Sequence, residues 1–273
     1  MLGLRAWDEA PHSAPVEWWY FSGHPSGKDA QGRVHAYGYE YVIFQFLGLA
    51  AKPVYLADLS VTDLAAKTLH FAGEEDSYPV PKAAGRLALH AGSWPASLGS
   101  SYYYSWTSLA TAGPIVDHGV TLNVSGTSWM DHQWGPMALR GGGGWDWFSM
   151  QLSNGQQYML SFIRNAQGQI VSTGGTRVAD GGKDIAYLTS ASIGEQATGS
   201  WTSPATGIKY GSGWQVAVPG GQLTVTPDLR DQEVDLLKTP DSVYWEGDVT
   251  IKGKIGGVTV SGDGYTELNP PGA

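Results

Sequence analysis

Three short segments place carboxylates among tryptophans. They are Glu17-Trp18-Trp19-Tyr20 followed by Gly23-His24, Trp129-Met130-Asp131-His132-Gln133-Trp134-Gly135, and Gly144-Trp145-Asp146-Trp147-Phe148. A carboxylic acid shielded from water holds its proton towards neutrality and can act as a general acid, worth roughly 10²–10⁴ in rate. Aromatic faces attract a cation by about 0.5–2 kcal/mol per contact. Asp131-His132 sets a carboxylate next to a group that titrates near neutrality. Neighbouring strand residues point to opposite faces, however, so the two cannot pair directly unless a bulge intervenes.

Asp146 has two readings. Strand alternation sets it on one face with Phe148, Met150 and Leu152, and sets Trp145 and Trp147 on the other. If the apolar face is inside, Asp146 is a buried acid; if the tryptophan face lines a cavity, Asp146 is a strut bonded to backbone or arginine. Glu17 beside its two tryptophans either anchors the fold or touches a ligand, and His12 and His24 read mainly as structural. Asp131 with Asp146 also satisfies the arithmetic of a two-carboxylate glycosidase. Tyr102-Tyr103-Tyr104 with Trp106 reads as aromatic core or, less simply, a sugar platform.

Other chemistries lack their spacing. There is no His-Glu-x-x-His, no compact histidine cluster along the chain and no Asp-x-Asp-x-Asp-Gly loop, so the sequence points to no metal. Gly141–Gly144 lacks the Lys-Ser/Thr of a phosphate loop, no Gly-x-Ser-x-Gly elbow occurs, and no cofactor is implied. The chain has no cysteine, which excludes disulfides and thiolate chemistry. Its formal charge is −9, with the basic residues scattered singly, which argues against nucleic acid as a partner.

The elements that must hold these residues read as strands. Glycine is abundant at 38 of 273 residues, Trp and Tyr number 12 and 14, and sustained helical periodicity is missing. Val34–Leu47, Gly119–Val124, Gly144–Leu152, Gln157–Arg164, Ile170–Val178, Trp214–Val218, Leu223–Pro227, Val243–Lys252 and Gly257–Leu268 are the predicted strands. Ser153-Asn154-Gly155-Gln156 predicts one hairpin, and a second is expected across Gly253–Gly257. Asp228–Leu237 reads as a short helix or an irregular loop. The class is all-β: short antiparallel strands with glycine-rich turns, in barrels or sandwiches. The glycine run after Met137 divides the chain into residues 1–138 and 139–273, each the size of one small barrel. No run approaches the ~20 apolar residues of a membrane span, and Met1–Asp8 lacks the pattern of a signal peptide. A soluble, cytoplasmic protein is expected, with a secreted or periplasmic mature form as the alternative; the oligomeric state is open.

The tryptophan segments carry a resemblance. His12…Glu17-Trp18-Trp19-Tyr20…Gly23-His24, Trp129–Gly135, Gly144–Leu152 with Asn154-Gly155, Tyr244-Trp245-Glu246-Gly247 and Gly264-Tyr265-Thr266-Glu267-Leu268 resemble the AttH/CrtC-like, lipocalin-like family that includes carotenoid 1,2-hydratases. The resemblance implies two tandem lipocalin-like antiparallel barrels with a ligand cavity in or between them. It also implies hydration of isoprenoid double bonds or, as in related natural-product enzymes, cyclisations including Diels–Alder reactions of polyenes. On that footing His132-Gln133-Trp134 matches the family's His-x-Trp element, and Asp131 or Asp146 supplies the acid. His132 would orient the acid or position water. Glu17, Trp18, Trp19, Tyr20, Gln45, Trp134, Trp145 and Trp147 would meet a hydrophobic small-molecule substrate. Three functions follow: acid-assisted hydration or cyclisation, a pericyclase without an essential acid, and a non-catalytic carrier.

Overall fold

A computed structural model describes residues 11–48, 51–77, 90–96, 99–135, 143–235 and 243–271. Seven antiparallel strands form a first sheet: β1 Val16–Lys28, β2 Val34–Phe46, β3 Val54–Asp63, β4 Thr68–Ser77, β5 His90–Ala96, β6 Gly99–Asp117 and β7 Val120–Gly135. Their order is β4-β3-β2-β1-β7-β6-β5. The second sheet begins with β8 Gly144–Leu152, β9 Gln157–Arg164, β10 Ile170–Ala179, β11 Asp184–Thr189 and β12 Gly194–Ala197. A two-stranded ribbon, β13 Ser200–Thr202 and β14 Lys209–Gly211, precedes β15 Trp214–Val218, β16 Gly221–Pro227, β17 Glu233–Asp235, β18 Val243–Ile255 and β19 Val258–Asn269. The second order is β11-β10-β9-β8-β19-β18-β16-β15-β12, with β17 on β18. Both sheets share one plan, in which the first strand lies between the second and the last.

This is the all-β, lipocalin-like architecture that the sequence predicts. Among the described residues no helix is long and apolar enough to cross a membrane. The β8–β9 hairpin turns with Gly155 at φ +78°, while Asn154 stays out of the left-handed region, the pattern of a three-residue loop closed by a glycine. The β18–β19 hairpin is tighter than Gly253–Gly257 suggests. Ile255 faces Val258, and only Gly256 and Gly257, both at positive φ, make the turn. Of Asp228–Leu237, Glu233–Asp235 is strand rather than helix, and 236–237 lie outside the described residues, as does 136–142 of the glycine-rich break.

Alternation along the strands sorts side chains into three compartments. One face of the second sheet, including Phe148, Met150, Leu152, Leu160, Trp214 and Ile251, forms its core. Tyr104, Met130 and Trp134 pack with Trp19 and Phe21 on the inner face of the first sheet. The opposite faces of both sheets meet in a seam where Tyr20, Val42, Tyr103 and Trp129 pack against Trp147, Met159 and Tyr265. Each large apolar side chain buried in this way contributes about 1.5–3 kcal/mol.

The seam is acidic as well as aromatic. Glu40, Asp58, Glu246 and Asp248 are all buried there. Tyr20 donates to Glu246, the Tyr244 hydroxyl donates to Asp58 Oδ2 at 3.1 Å, and Thr62 donates to Gln232 Oε1 at 2.8 Å, so hydrogen bonds cross from sheet to sheet. Burial first, and neighbouring carboxylates second, push Glu40 and Glu246 well above the usual range; burial lifts Asp58 to about 6. Glu40 and Asp58 lie diagonally on the neighbouring strands β2 and β3, and the Asp58 carboxyl adds to the rise of Glu40.

A second tie belongs to the second sheet. Arg164 on β9 donates from Nε and Nη2 to Asp146 Oδ2 at 2.9 and 2.6 Å, and Nη2 also bonds Glu195 on β12. The guanidinium thus joins strands that lie far apart in the sheet order. Arg164→Ala is expected to cost a few kcal/mol, bounded by the ~3–5 of a fully buried pair, because two carboxylates lose their cation. Urea denaturation checks this; an unchanged midpoint removes the tie from the account.

The seam carboxyls make a pH prediction. The folded chain keeps protons that its unfolded form releases above the ordinary carboxylate range, so stability falls as pH rises. His24, whose pKa is raised by Asp248 against the opposing effect of burial, acts in the same direction: its bond is lost as pH rises through the raised value. Unfolding free energy should decline from about pH 5 to pH 8, by roughly 1.4 kcal/mol per pH unit for each proton held in excess, and melting temperature should fall with it. Glu40→Gln should flatten the decline. A wild-type profile that is level or rises between those limits contradicts this assignment.

Candidate active site at the seam

Asp131 lies on the seam face of β7, two residues from Trp129 and opposite Ser105 of β6. It is 3% exposed. Its Oδ1 accepts from Ser105 Oγ at 2.5 Å and from Trp129 Nε1 at 2.9 Å, and the Tyr103 hydroxyl also bonds the carboxyl. Burial outweighs these three donors and pushes the acid up to about 7. Tyr103 in turn accepts from Trp147 Nε1 at 3.3 Å, which joins the acid to the second sheet.

A cleft of about 840 Å³ opens beside this group, between β6 and the β9–β11 edge. Tyr103, Ser105 and Trp106 form one wall, and Met159, Gly175 and Leu188 belong to the other. The volume falls within the roughly 300–1,000 Å³ of small-molecule sites. Asp131 does not itself line the cleft. Half-buried Ser105 stands between them, touching the carboxyl on one side and the cleft on the other.

Glu17 and His132 belong to a different place. Alternation turns both to the inner face of the first sheet, away from Asp131. Glu17 Oε1 bonds His12 Nδ1 at 2.8 Å and His132 Nε2 at 2.7 Å; Oε2 accepts from the His12 backbone at 2.7 Å and Gln45 Nε2 at 3.0 Å. Burial alone would raise this carboxyl, but the bonds from His12 and His132 hold it below the usual range. His132 Nδ1 pairs with the Tyr104 hydroxyl at 2.7 Å, and Tyr55 donates to Gln45 Oε1 at 2.9 Å.

Several expectations therefore need correction. His132 does not orient Asp131, because the two side chains leave β7 on opposite faces. Asp146 is the strut of its second reading, held by Arg164, even though its face is the apolar, inward one. None of Glu17, Trp18, Trp19, Tyr20, Gln45, Trp134, Trp145 and Trp147 lines the cleft. Trp19 and Trp134 stack on His132 and His12, at 4.8 and 4.1 Å between ring centroids. Trp18, Tyr20, Trp145 and Trp147 are packed into the seam. His12, read as mainly structural, bonds Glu17 through both its ring and its backbone. Residues the sequence reading passed over are Ser105, Glu40 and Asp58. Glu40 carried a signal: it shares a strand face with Val42 and Phe44, where a charge is costly to bury.

Comparison with known proteins sets the site in context. The AttH-like family model matches residues 93–270. No curated protein sequence matches the chain. Among solved structures, the AttH-type protein NE1406 of Nitrosomonas europaea superposes with a TM-score of 0.78 at 23% identity, covering 97% of this chain and 95% of that one. Kievitone hydratase of Nectria haematococca gives 0.73 at 15% identity, covering 98% and 93%. CghA with Sch210972 gives 0.52 at 10% identity, covering 94% and 89%. At these identities the likeness shows a shared fold. The family match spans well over half of the sequence, and the chain belongs to the AttH-like family.

Proposed function

We propose that the chain is an enzyme of lyase or isomerase type. It binds an apolar isoprenoid or polyene in the cleft beside Ser105 and protonates one of its double bonds, with Asp131 as the acid. The observation that carries this reading is the Asp131–Ser105 pair. A carboxyl held near neutrality by burial is one hydroxyl away from a cleft of substrate size. That one fold neighbour is a hydratase by name is consistent with the reading. The halves divide the work: residues 1–138 supply acid and relay, and residues 139–273 supply the opposite wall.

When Asp131 carries its proton, it donates to Ser105, and Ser105 presents its own proton to the cleft. The π pair of the substrate takes that proton to form a C–H bond, leaving a cation on the neighbouring carbon. The Trp106 and Tyr103 rings stabilise this charge, by about 0.5–2 kcal/mol per face. A water lone pair then closes on the cation and gives hydration, or a second double bond closes on it and gives a ring. In either case the proton released returns through Ser105 to Asp131, so the acid is regenerated.

Incubation with acyclic isoprenoids and polyenes, followed by mass analysis, separates addition of water from isomerisation. Asp131→Asn should lower turnover by roughly 10²–10⁴ while ligand binding persists. Turnover of the wild type should fall tenfold per pH unit above about 7, where the acid is lost. Full activity of Asp131→Asn with a level pH profile would remove the acid from the mechanism, and return of every ligand unchanged would make the protein a carrier. Ser105→Ala should slow turnover without weakening binding; equal activity would mean that the proton takes another route.

A further inference from the structure

The geometry points to a metal site on the inner face of the first sheet. We propose that His12, Glu17 and His132 bind a divalent first-row transition metal ion, of which zinc is the representative. The segment before β1 supplies the first residue, β1 the second and β7 the third. Their ligand atoms, Nδ1, Oε1 and Nε2, lie within 4.8 Å of one another.

Both imidazole nitrogens aim at one point, at Glu17 Oε1, from 2.8 and 2.7 Å. Donors on a tetrahedral zinc with bonds of about 2.0 Å stand roughly 3.3 Å apart. The two N–O edges must therefore open by about half an ångström, and the two imidazole nitrogens, up to 4.8 Å apart, must draw together by up to about 1.5 Å, to admit the ion. The donor chemistry fits: two imidazoles and a carboxylate suit zinc, cobalt, nickel or ferrous iron, and the absence of thiolate disfavours soft ions. Three protein donors also leave a coordination position for water.

The surrounding residues already orient the ligands. His132 Nδ1 is bonded to Tyr104, so a shift of its proton to Nδ1 frees Nε2 for the metal and keeps the Tyr104 contact. Gln45 Nε2 bonds both Glu17 Oε2 and the His12 carbonyl, at 3.0 and 2.9 Å, and so fixes the carboxylate relative to the segment carrying His12. Trp134 lies flat on the His12 ring, with an interplanar angle of 3°, and Trp19 stacks on His132. Two of the three ligands are fully buried and the third nearly so, unlike the exposed His118 that pairs with Asp117. None of the three ligands lines the Ser105 cleft, although Tyr104 touches both places, and the site does not depend on the reaction proposed there.

The test is titration of the wild-type chain with Zn²⁺, followed by calorimetry and by ¹H–¹⁵N correlation of the imidazoles. One equivalent should bind and shift the ring nitrogens of His12 and His132. His12→Ala should weaken binding at least about 100-fold, Tyr104→Phe about 10-fold, and His118→Ala not at all. The correlation spectrum needs no variant, so a misfolded His12→Ala leaves the proposal testable. Zinc that shifts only His35, His70 or His118, or that binds His12→Ala as tightly as wild type, overturns it and leaves the triad a hydrogen-bonded tie.

Discussion

Two sheets can be laid face to face over a seam rich in carboxyl groups only if those groups keep their protons. That condition governs this molecule. Glu246, Asp58 and Glu40 stand between the sheets with Tyr20, Tyr244 and Ser60 as their hydrogen-bond donors, and no described arginine or lysine reaches them. Desolvation makes their ionised forms expensive, and mutual repulsion adds to the cost. Neutral carboxyls instead hydrogen-bond across the gap, and Tyr20 and Tyr244 close the bonds from opposite sheets. The contacts of these three carboxyls between the halves are therefore protic, and they stand beside the His24–Asp248 ion pair that also joins β1 to β18.

The same physics explains how an acid arises beside the cleft. Asp131 differs from the Glu40–Asp58 pair in having three donors and no carboxylate in direct contact, so its shift is moderate. Glu17 shows the opposite balance. It is as buried as the seam acids, yet two imidazoles and two further donors keep it ionised. What decides the charge of each carboxyl is the count of donors around it, and burial alone does not.

Much of this fold is legible in the sequence. Alternation in Val34–Leu47 and Gly144–Leu152 gives strands and faces, Asn154-Gly155 gives a hairpin, and the tryptophan segments do mark the strands that meet at the seam. Which residues share a compartment is less legible. Asp146 sits on the face that alternation assigns it, but its arginine is 18 residues away on the next strand. His12 and His132 are 120 positions apart, so no local spacing could announce a cluster that only the β1–β7 pairing creates. Ser105 matters because it lies between an acid and a cavity, a property of depth that one-dimensional patterns do not record.

The shared plan of the two sheets has a consequence for assembly. In each, the opening strand pairs with the strand that ends the sheet: β1 with β7, and β8 with β19. Neither sheet can be completed until its final strand has been synthesised, and each pairing closes a loop on the order of a hundred residues, which makes folding slow. Until then the central strand exposes one unsatisfied edge, the kind of surface that nascent chains bury against chaperones or against each other. The acid and its relay, carried by β7 and β6, therefore form late in the folding of the first sheet.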